Sequence, residues 1–169
     1  MVELSIIGGR NSGKTTLTVS LISNLTKLGY HVISVKHCGG EPHLDQQGKD
    51  TFRHRAAGAD LTVGISGTEM ALFGKPGWID IDKLASLMDP TPDICLIEGD
   101  RESGRPKLLI TRELPDKHRF DLTDVKATVG PVRLSKIKCH FETDDIDGIV
   151  EFVSSMIPKV EAEAVHEQK

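Results

Sequence analysis

Apolar positions along the chain change period several times, and each change marks an element. Leu4, Ile6 and Ile7 form a short apolar run, the chain then turns glycine-rich, and from Thr15 to Leu28 the residues Leu17, Leu21, Leu25 and Leu28 recur at helical spacing. Gly29 ends that helix, and the β-branched run from His31 to Val35 completes a strand-helix-strand unit, for which a right-handed parallel crossover is expected. Residues 37–48 read as a loop, and Lys49 to Ala57 as a short, basic helix stopped by Gly58. Leu61 to Ile65 and Met70 to Phe73 predict a hairpin joined through Ser66, Gly67, Thr68 and Glu69. Asp80 or Asp82 can cap a helix through Met88, after which Asp89, Pro90 and Pro92 break the chain. Ile94 to Ile97 is continuously apolar, as a buried parallel strand should be. Further strands are expected at Lys107 to Thr111 and Ala127 to Val129, and a terminal helix from Asp145 to Ile157 precedes a polar tail.

The composition adds bounds. With 169 residues, 38% hydrophobic and 27% charged, the chain fits one α/β domain over 1–158, with 61–73 as a hairpin arm and 159–169 as a tail. A formal charge of -4 argues against a protein that grips nucleic acid by broad phosphate neutralisation, and 4% aromatic residues argue against a base-stacking platform. The acidity is local: 142–169 holds eight acids and two lysines, a net -6, which leaves residues 1–141 with 19 bases against 17 acids, or +2. The body of the chain therefore keeps room for a focused basic site. There is no apolar run of membrane-spanning length and no signal-peptide pattern after Met1, so a cytoplasmic protein without a membrane partner is expected. Cys38, Cys95 and Cys139 are odd in number and form no CxxC, and are read as reduced thiols.

The strongest chemical signal is Gly8-Gly9-Arg10-Asn11-Ser12-Gly13-Lys14-Thr15, a G-x-x-x-x-G-K-[ST] loop placed between a strand and an amphipathic helix. Glycines let successive amides converge on one centre, and the helix N-terminus adds partial positive charge there. Amides from Asn11 to Thr16 are expected to hold the inner phosphates of a nucleotide, Lys14 the β and γ phosphates, and the Thr15 hydroxyl a magnesium ion. Such a site wants a carboxylate beyond a neighbouring parallel strand. Glu98, at the end of the Ile94 to Ile97 run, and Asp100, after Gly99, are both candidates. Lys36 and His37 end the second strand on the same edge, and Asp45 adds a further carboxylate. Lys49 and Arg53 share a face of the short helix that also carries Arg55. His37, Cys38 and His43 have zinc-ligand chemistry, but their spacing matches no closed zinc site.

Taken together, these segments resemble the MobB family, the nucleotide-binding accessory proteins of molybdopterin guanine dinucleotide synthesis. The resemblance rests on Gly8 to Thr16, Val35-Lys36-His37, Asp45 to Ala59 with Gly48-Lys49-Asp50-Thr51 and Arg53-His54-Arg55-Ala56-Ala57-Gly58-Ala59, and Leu96-Ile97-Glu98-Gly99. It implies a P-loop NTPase-type three-layer α/β/α fold with a mainly parallel sheet. It also implies GTP and Mg2+ as ligands, at most slow hydrolysis, and a homodimer joined with the help of the 61–73 arm. The implied partners are a MobA-type guanylyltransferase and molybdopterin or its guanine dinucleotide, with Lys49, Arg53 and Arg55 contacting cofactor phosphate. Two departures stand out: Cys38-Gly39-Gly40-Glu41-Pro42-His43 follows Lys36-His37 where the family often has a further histidine, and Glu98-Gly99-Asp100-Arg101 replaces the commoner Glu-Gly-Phe-Lys. No NKxD guanine signature is present, so GTP rests on the resemblance, and no catalytic residue is assigned. The competing reading is a P-loop small-molecule kinase or ATP-dependent ligase, with Asp45 or Glu98 as base or metal ligand and the basic helix holding an anionic acceptor.

Overall fold

Parallel strands need crossovers, and this chain spends its first helix and its long central segment on two of them. The computed structural model of the chain describes residues 1–39, 44–75, 77, 80–112 and 121–158. Its residues fall into two compact units, one of Met1–His37 with Asp89–Lys169 and one of Cys38–Met88.

The first unit carries a six-stranded sheet. In chain order its strands are β1 (Val2–Gly8), β2 (Val32–Lys36), β5 (Ile94–Glu98), β6 (Lys107–Ile110), β7 (Val125–Val129) and β8 (Cys139–Phe141), and in the sheet they run β2-β5-β1-β6-β7-β8, with every neighbouring pair parallel. The expected mainly parallel α/β architecture is therefore what the chain adopts. Helices α1 (Lys14–Lys27) and α4 (Ile146–Met156) belong to the same unit. Strand alternation sorts the core: Leu4, Ile6, Ile94, Leu96, Leu108 and Ile110 share one cluster with Leu17, Leu21 and Leu25 of α1 and Ile149 and Val153 of α4. On the opposite face Ile7, Leu109 and Val125 pack with Ile137, Leu122 and Leu134. The register continues the alternation, so that Glu98, two residues past Leu96, points to the α1 side beside its partners Ile6 and Lys36.

Helix ends follow the residues expected to set them. Gly29 has φ 90 after α1, and Asp145 caps α4 by accepting from the Gly148 amide at 3.1 Å. β8 is the one strand of this sheet with no counterpart in the periodicity, because it is three residues long and half-buried throughout.

The second unit holds α2 (Asp50–Ala56), the hairpin β3 (Leu61–Ile65) and β4 (Met70–Gly74), and α3 (Ile81–Ser86), whose Asp80 cap accepts from the Lys83 amide at 2.7 Å. The expected hairpin is present as a two-stranded antiparallel sheet, closed by the Ser66 amide donating to Glu69 O at 2.9 Å. Its face with Thr62, Gly64 and Phe73 meets α2: a Cβ on Gly64 would lie 3.4 Å from Thr51 Cγ2, and the Arg55 guanidinium sits 5.4 Å from the Phe73 ring centre. The other face presents Val63, Ile65, Met70 and Leu72, all exposed. Among the described residues no helix is long and apolar enough to cross a membrane. The 159–169 tail and His43 lie outside the described residues.

Candidate functional site

The turn from β1 into α1 needs a backbone that few residues tolerate. Gly13 has φ 98 as it enters the helix, and Asn11 has φ 59, a left-handed conformation that asparagine accepts better than most side chains. Gly8 is required by space: a Cβ there would come within 2.7 Å of Ser12 Oγ and 3.2 Å of the Ile110 carbonyl oxygen. Ser12 is buried at 3% exposure, and its hydroxyl finds no hydrogen-bond partner among the described residues. An orphaned buried donor inside a loop of convergent amides suits an anion.

Lys14 folds back over this loop, its ammonium donating to the Gly9 carbonyl at 2.5 Å. Burial lowers its pKa from the ordinary 10.5; the Glu98 charge opposes that shift, while the charges of Arg101 and Lys36 add to it. A lysine whose charge is disfavoured by its surroundings is poised to gain from a polyanion.

Thr15 and Thr16 are exposed on the first turn of α1, with Thr15 turned toward the neighbouring strand. The Thr15 hydroxyl donates to the Glu98 carboxylate, at 2.9 Å from Oε1 and 3.0 Å from Oε2. Glu98 is only 8% exposed, and the Lys36 ammonium lies 3.8 Å from its Oε1. Because Lys36 and Glu98 are register partners, β2 and β5 bring this pair together as they reach the phosphate edge. His37 follows directly, its amide donating to Glu98 O at 2.9 Å, and Gly99 at φ 100 passes close by: a Cβ there would sit 3.5 Å from the His37 carbonyl oxygen.

Asp100 takes a different set of partners. Burial disfavours its charge, but the nearby Ser103 side chain and the Arg105 guanidinium outweigh that and hold the carboxyl below its ordinary range. Arg105 donates to Asp100 Oδ2 at 2.8 Å and to Glu3 Oε2 at 2.5 Å. Arg101 has no role in the motif reading, yet its guanidinium donates to the Gly8 carbonyl at 2.6 Å. Its signals in the sequence are its place just past the end of β5 and its standing as the cation that closes the Glu98-Gly99-Asp100-Arg101 segment.

The remaining candidates lie in the second unit. Asp45 and Arg55, which the sequence offers separately as metal ligand and anion contact, are bonded to each other at 3.2 Å, and Thr51 donates to the other Asp45 oxygen at 3.1 Å. Arg55 also stacks by Phe52 and Phe73, at 5.7 and 5.4 Å from their ring centres. Lys49 precedes α2 and is exposed, as is Arg53, which makes a 3.5 Å pair with Asp50. Among the described residues no group of three or more His, Cys, Asp or Glu side chains could hold a metal by itself. A magnesium ion bound mainly through phosphate oxygens needs only one or two protein groups, and Thr15 with Glu98 meets that requirement.

Comparison with known proteins supports the same lineage. The family model described as molybdopterin guanine dinucleotide synthesis protein B matches residues 3–130. A molybdopterin-guanine dinucleotide biosynthesis adapter protein of Haemophilus influenzae is 33% identical over 161 residues, spanning 91% of this chain and 88% of that one. The Escherichia coli adapter protein of the same name is 28% identical over 163 residues, spanning 92% and 93%. The crystal structure of Bacillus subtilis MobB superposes with a TM-score of 0.74 at 27% identity, covering 95% of this chain and all of that one. The chain belongs to the MobB family.

Proposed function

We propose that the chain is a GTP-binding accessory protein of molybdenum cofactor biosynthesis, an adapter that assists attachment of GMP to molybdopterin. The accessory role follows from family membership and from relatives that carry the adapter name. The nucleotide reading is carried by one observation: Thr15, the hydroxyl that closes the phosphate-loop motif, is bonded to the buried carboxylate of Glu98.

In this reading the loop amides from Asn11 to Thr16 and the buried Ser12 hydroxyl receive phosphate oxygens, and Lys14 exchanges the Gly9 carbonyl for the β and γ phosphates. Thr15 and Glu98 would hold Mg2+, which screens the phosphate charge when bound. Lys36 balances the Glu98 charge beside that position, and His37 lines the same edge. Asp100 and Asp45 are engaged with arginines, so the metal role is assigned to Glu98 rather than to them. Lys49 and Arg53 are the exposed cations available for cofactor phosphate, whereas Arg55 holds Asp45 and its own unit together.

In this reading hydrolysis is at most slow, in keeping with the adapter role that the relatives' names carry. The partner is a MobA-type guanylyltransferase, and the apolar outer face of the β3-β4 hairpin is where a second copy of the chain would pair to make a homodimer. The test is capture of a guanylyltransferase by the purified chain with GTP·Mg2+ present and absent, alongside titration with GTP and ATP. Capture that strengthens with GTP is the expected result. Failure to capture under both conditions would overturn the adapter reading, and tight ATP binding with indifference to GTP would favour a kinase or ligase.

A further inference from the structure

The turn that leaves β5 is fastened at several points. Arg105 ties Asp100 to Glu3 of β1, at 2.8 and 2.5 Å. The buried Lys107 ammonium donates to the carbonyls of Ser103 and Arg105 and lies 3.6 Å from Asp124. From this fastened turn Arg101 reaches the Gly8 carbonyl at 2.6 Å, while Lys14 takes the next carbonyl, Gly9, at 2.5 Å. Two cations thus rest on adjacent carbonyls at the start of the phosphate loop. Like charges held together at an anion site are costly until a multiply charged ligand arrives.

We infer that Arg101 is a second phosphate-contacting cation, supplied in cis, which engages the terminal phosphate of a nucleoside triphosphate beside Lys14, and that Asp100 and Arg105 are its positioning residues. The inference rests on the nucleotide reading above and deepens it. The inner phosphates belong to the amides at the start of α1, and Lys14 reaches the β and γ groups. Arg101 takes the carbonyl of β1's last residue, one position before the carbonyl that Lys14 takes and away from the amides that open α1, so on the nucleotide reading it would serve the outer end of the ligand. A guanidinium carries five donors in a fixed fork, so it can keep the Gly8 carbonyl and still donate to a phosphate oxygen, which an ammonium does less well.

The test is calorimetric titration of GTP and GDP, each with Mg2+, into the wild-type chain and into Arg101→Ala, Arg101→Lys, Arg105→Ala and Lys14→Ala, with a thermal melt of each. Arg101→Ala should weaken GTP about tenfold or more, the loss of one charged hydrogen bond, while GDP affinity stays within about twofold. Arg101→Lys should recover part of the loss, and Arg105→Ala should move the GTP/GDP ratio the same way by less. Equal weakening of GTP and GDP with a lowered melting temperature would make Arg101 a fastening of the loop and overturn the inference, as would no change in either affinity. Abolition of binding by Lys14→Ala with no effect of Arg101→Ala would remove Arg101 alone. A wild-type chain that binds neither nucleotide, or a Lys14→Ala chain that binds GTP undiminished, would remove the nucleotide reading and the inference with it.

Discussion

The Thr15 hydroxyl and the Glu98 carboxylate, 83 residues apart in the chain, are joined by contacts of 2.9 and 3.0 Å. The sheet order makes this meeting necessary rather than accidental: β5 inserts between β2 and β1, so its C-terminal residue arrives beside the turn into α1. Alternation then sends Glu98 to the α1 side of the sheet. The hydroxyl and the carboxylate therefore already face each other at the turn into α1, an arrangement on which the proposed magnesium role of the pair rests.

Glu98→Gln keeps the side chain's volume and its acceptor toward Thr15 but removes the charge. If Glu98 supports magnesium, the variant should lose about tenfold of the Mg2+-dependent gain in GTP affinity and bind GTP in EDTA as the wild type does. Paired titrations in Mg2+ and EDTA check this. A Mg2+ gain that survives in Glu98→Gln would move the metal role to another carboxylate.

Lys14 makes a prediction in pH. Its folded pKa lies below 10.5, chiefly through burial, so the ammonium is lost earlier on raising pH than in the unfolded chain. The charged form is the disfavoured one in the free protein, so this residue's contribution to stability increases as pH rises from the folded pKa toward 10.5. Triphosphate binding favours the charged form, so GTP affinity should fall with rising pH in a range that begins below 10.5, with proton uptake on binding. Lys14→Arg, which stays charged there, should show no such fall. Parallel slopes for both proteins in titrations run from neutral to alkaline pH would assign the effect to another group.

What could be read from the chain and what could not divides along distance. The Gly8 to Thr16 motif is contiguous, and its strand and helix announce themselves by period, so the β1-turn-α1 setting of the motif was legible. Glu98 was legible as the residue after a continuous apolar strand, but the engagement of Asp100 by Arg105 was not, because Arg105 also bonds Glu3 in a distant strand. Asp45 and Arg55 each looked available for a ligand; that they bond each other depends on how the segment before α2 folds back along it, which no local pattern encodes. Arg101 meets Gly8 across 93 positions, a contact invisible to any motif.

Asp100 carries a stability prediction. Its carboxyl is held below its ordinary value of 3.8, with burial opposing the shift and the Ser103 side chain and Arg105 guanidinium overcoming it. A depressed carboxylate stabilises the fold above the unfolded value and loses that contribution as pH falls from 3.8 toward the folded value. Asp100→Asn should therefore cost about 1 kcal/mol near neutral pH, roughly 2–4 °C in melting temperature for a chain of this size. The gap between variant and wild type should narrow on acidification below 3.8. A gap that stays constant over a series of melts from neutral to acid pH would show that the Asp100 charge is not what the fold uses.

The outer face of the hairpin sets the last prediction. Ile65 is 79% and Met70 64% exposed, and they are cross-strand partners, with Val63 and Leu72 forming the next pair on the same face. Four apolar side chains in two adjacent pairs are more than the scattered exposure normal for a monomer's surface, and they offer a flat, self-complementary patch. The inner face is already occupied by α2, so the patch can be altered without touching that packing. In the homodimer proposed above, Ile65→Asp would set two buried carboxylates into the contact and shift the chain to monomer, with melting of the monomer changed by no more than about 0.5 kcal/mol in stability, as is usual for an exposed position. Sedimentation velocity over a concentration series reads the outcome. A wild-type monomer, or a dimer indifferent to Ile65→Asp, would place any pairing of the chain on a different surface.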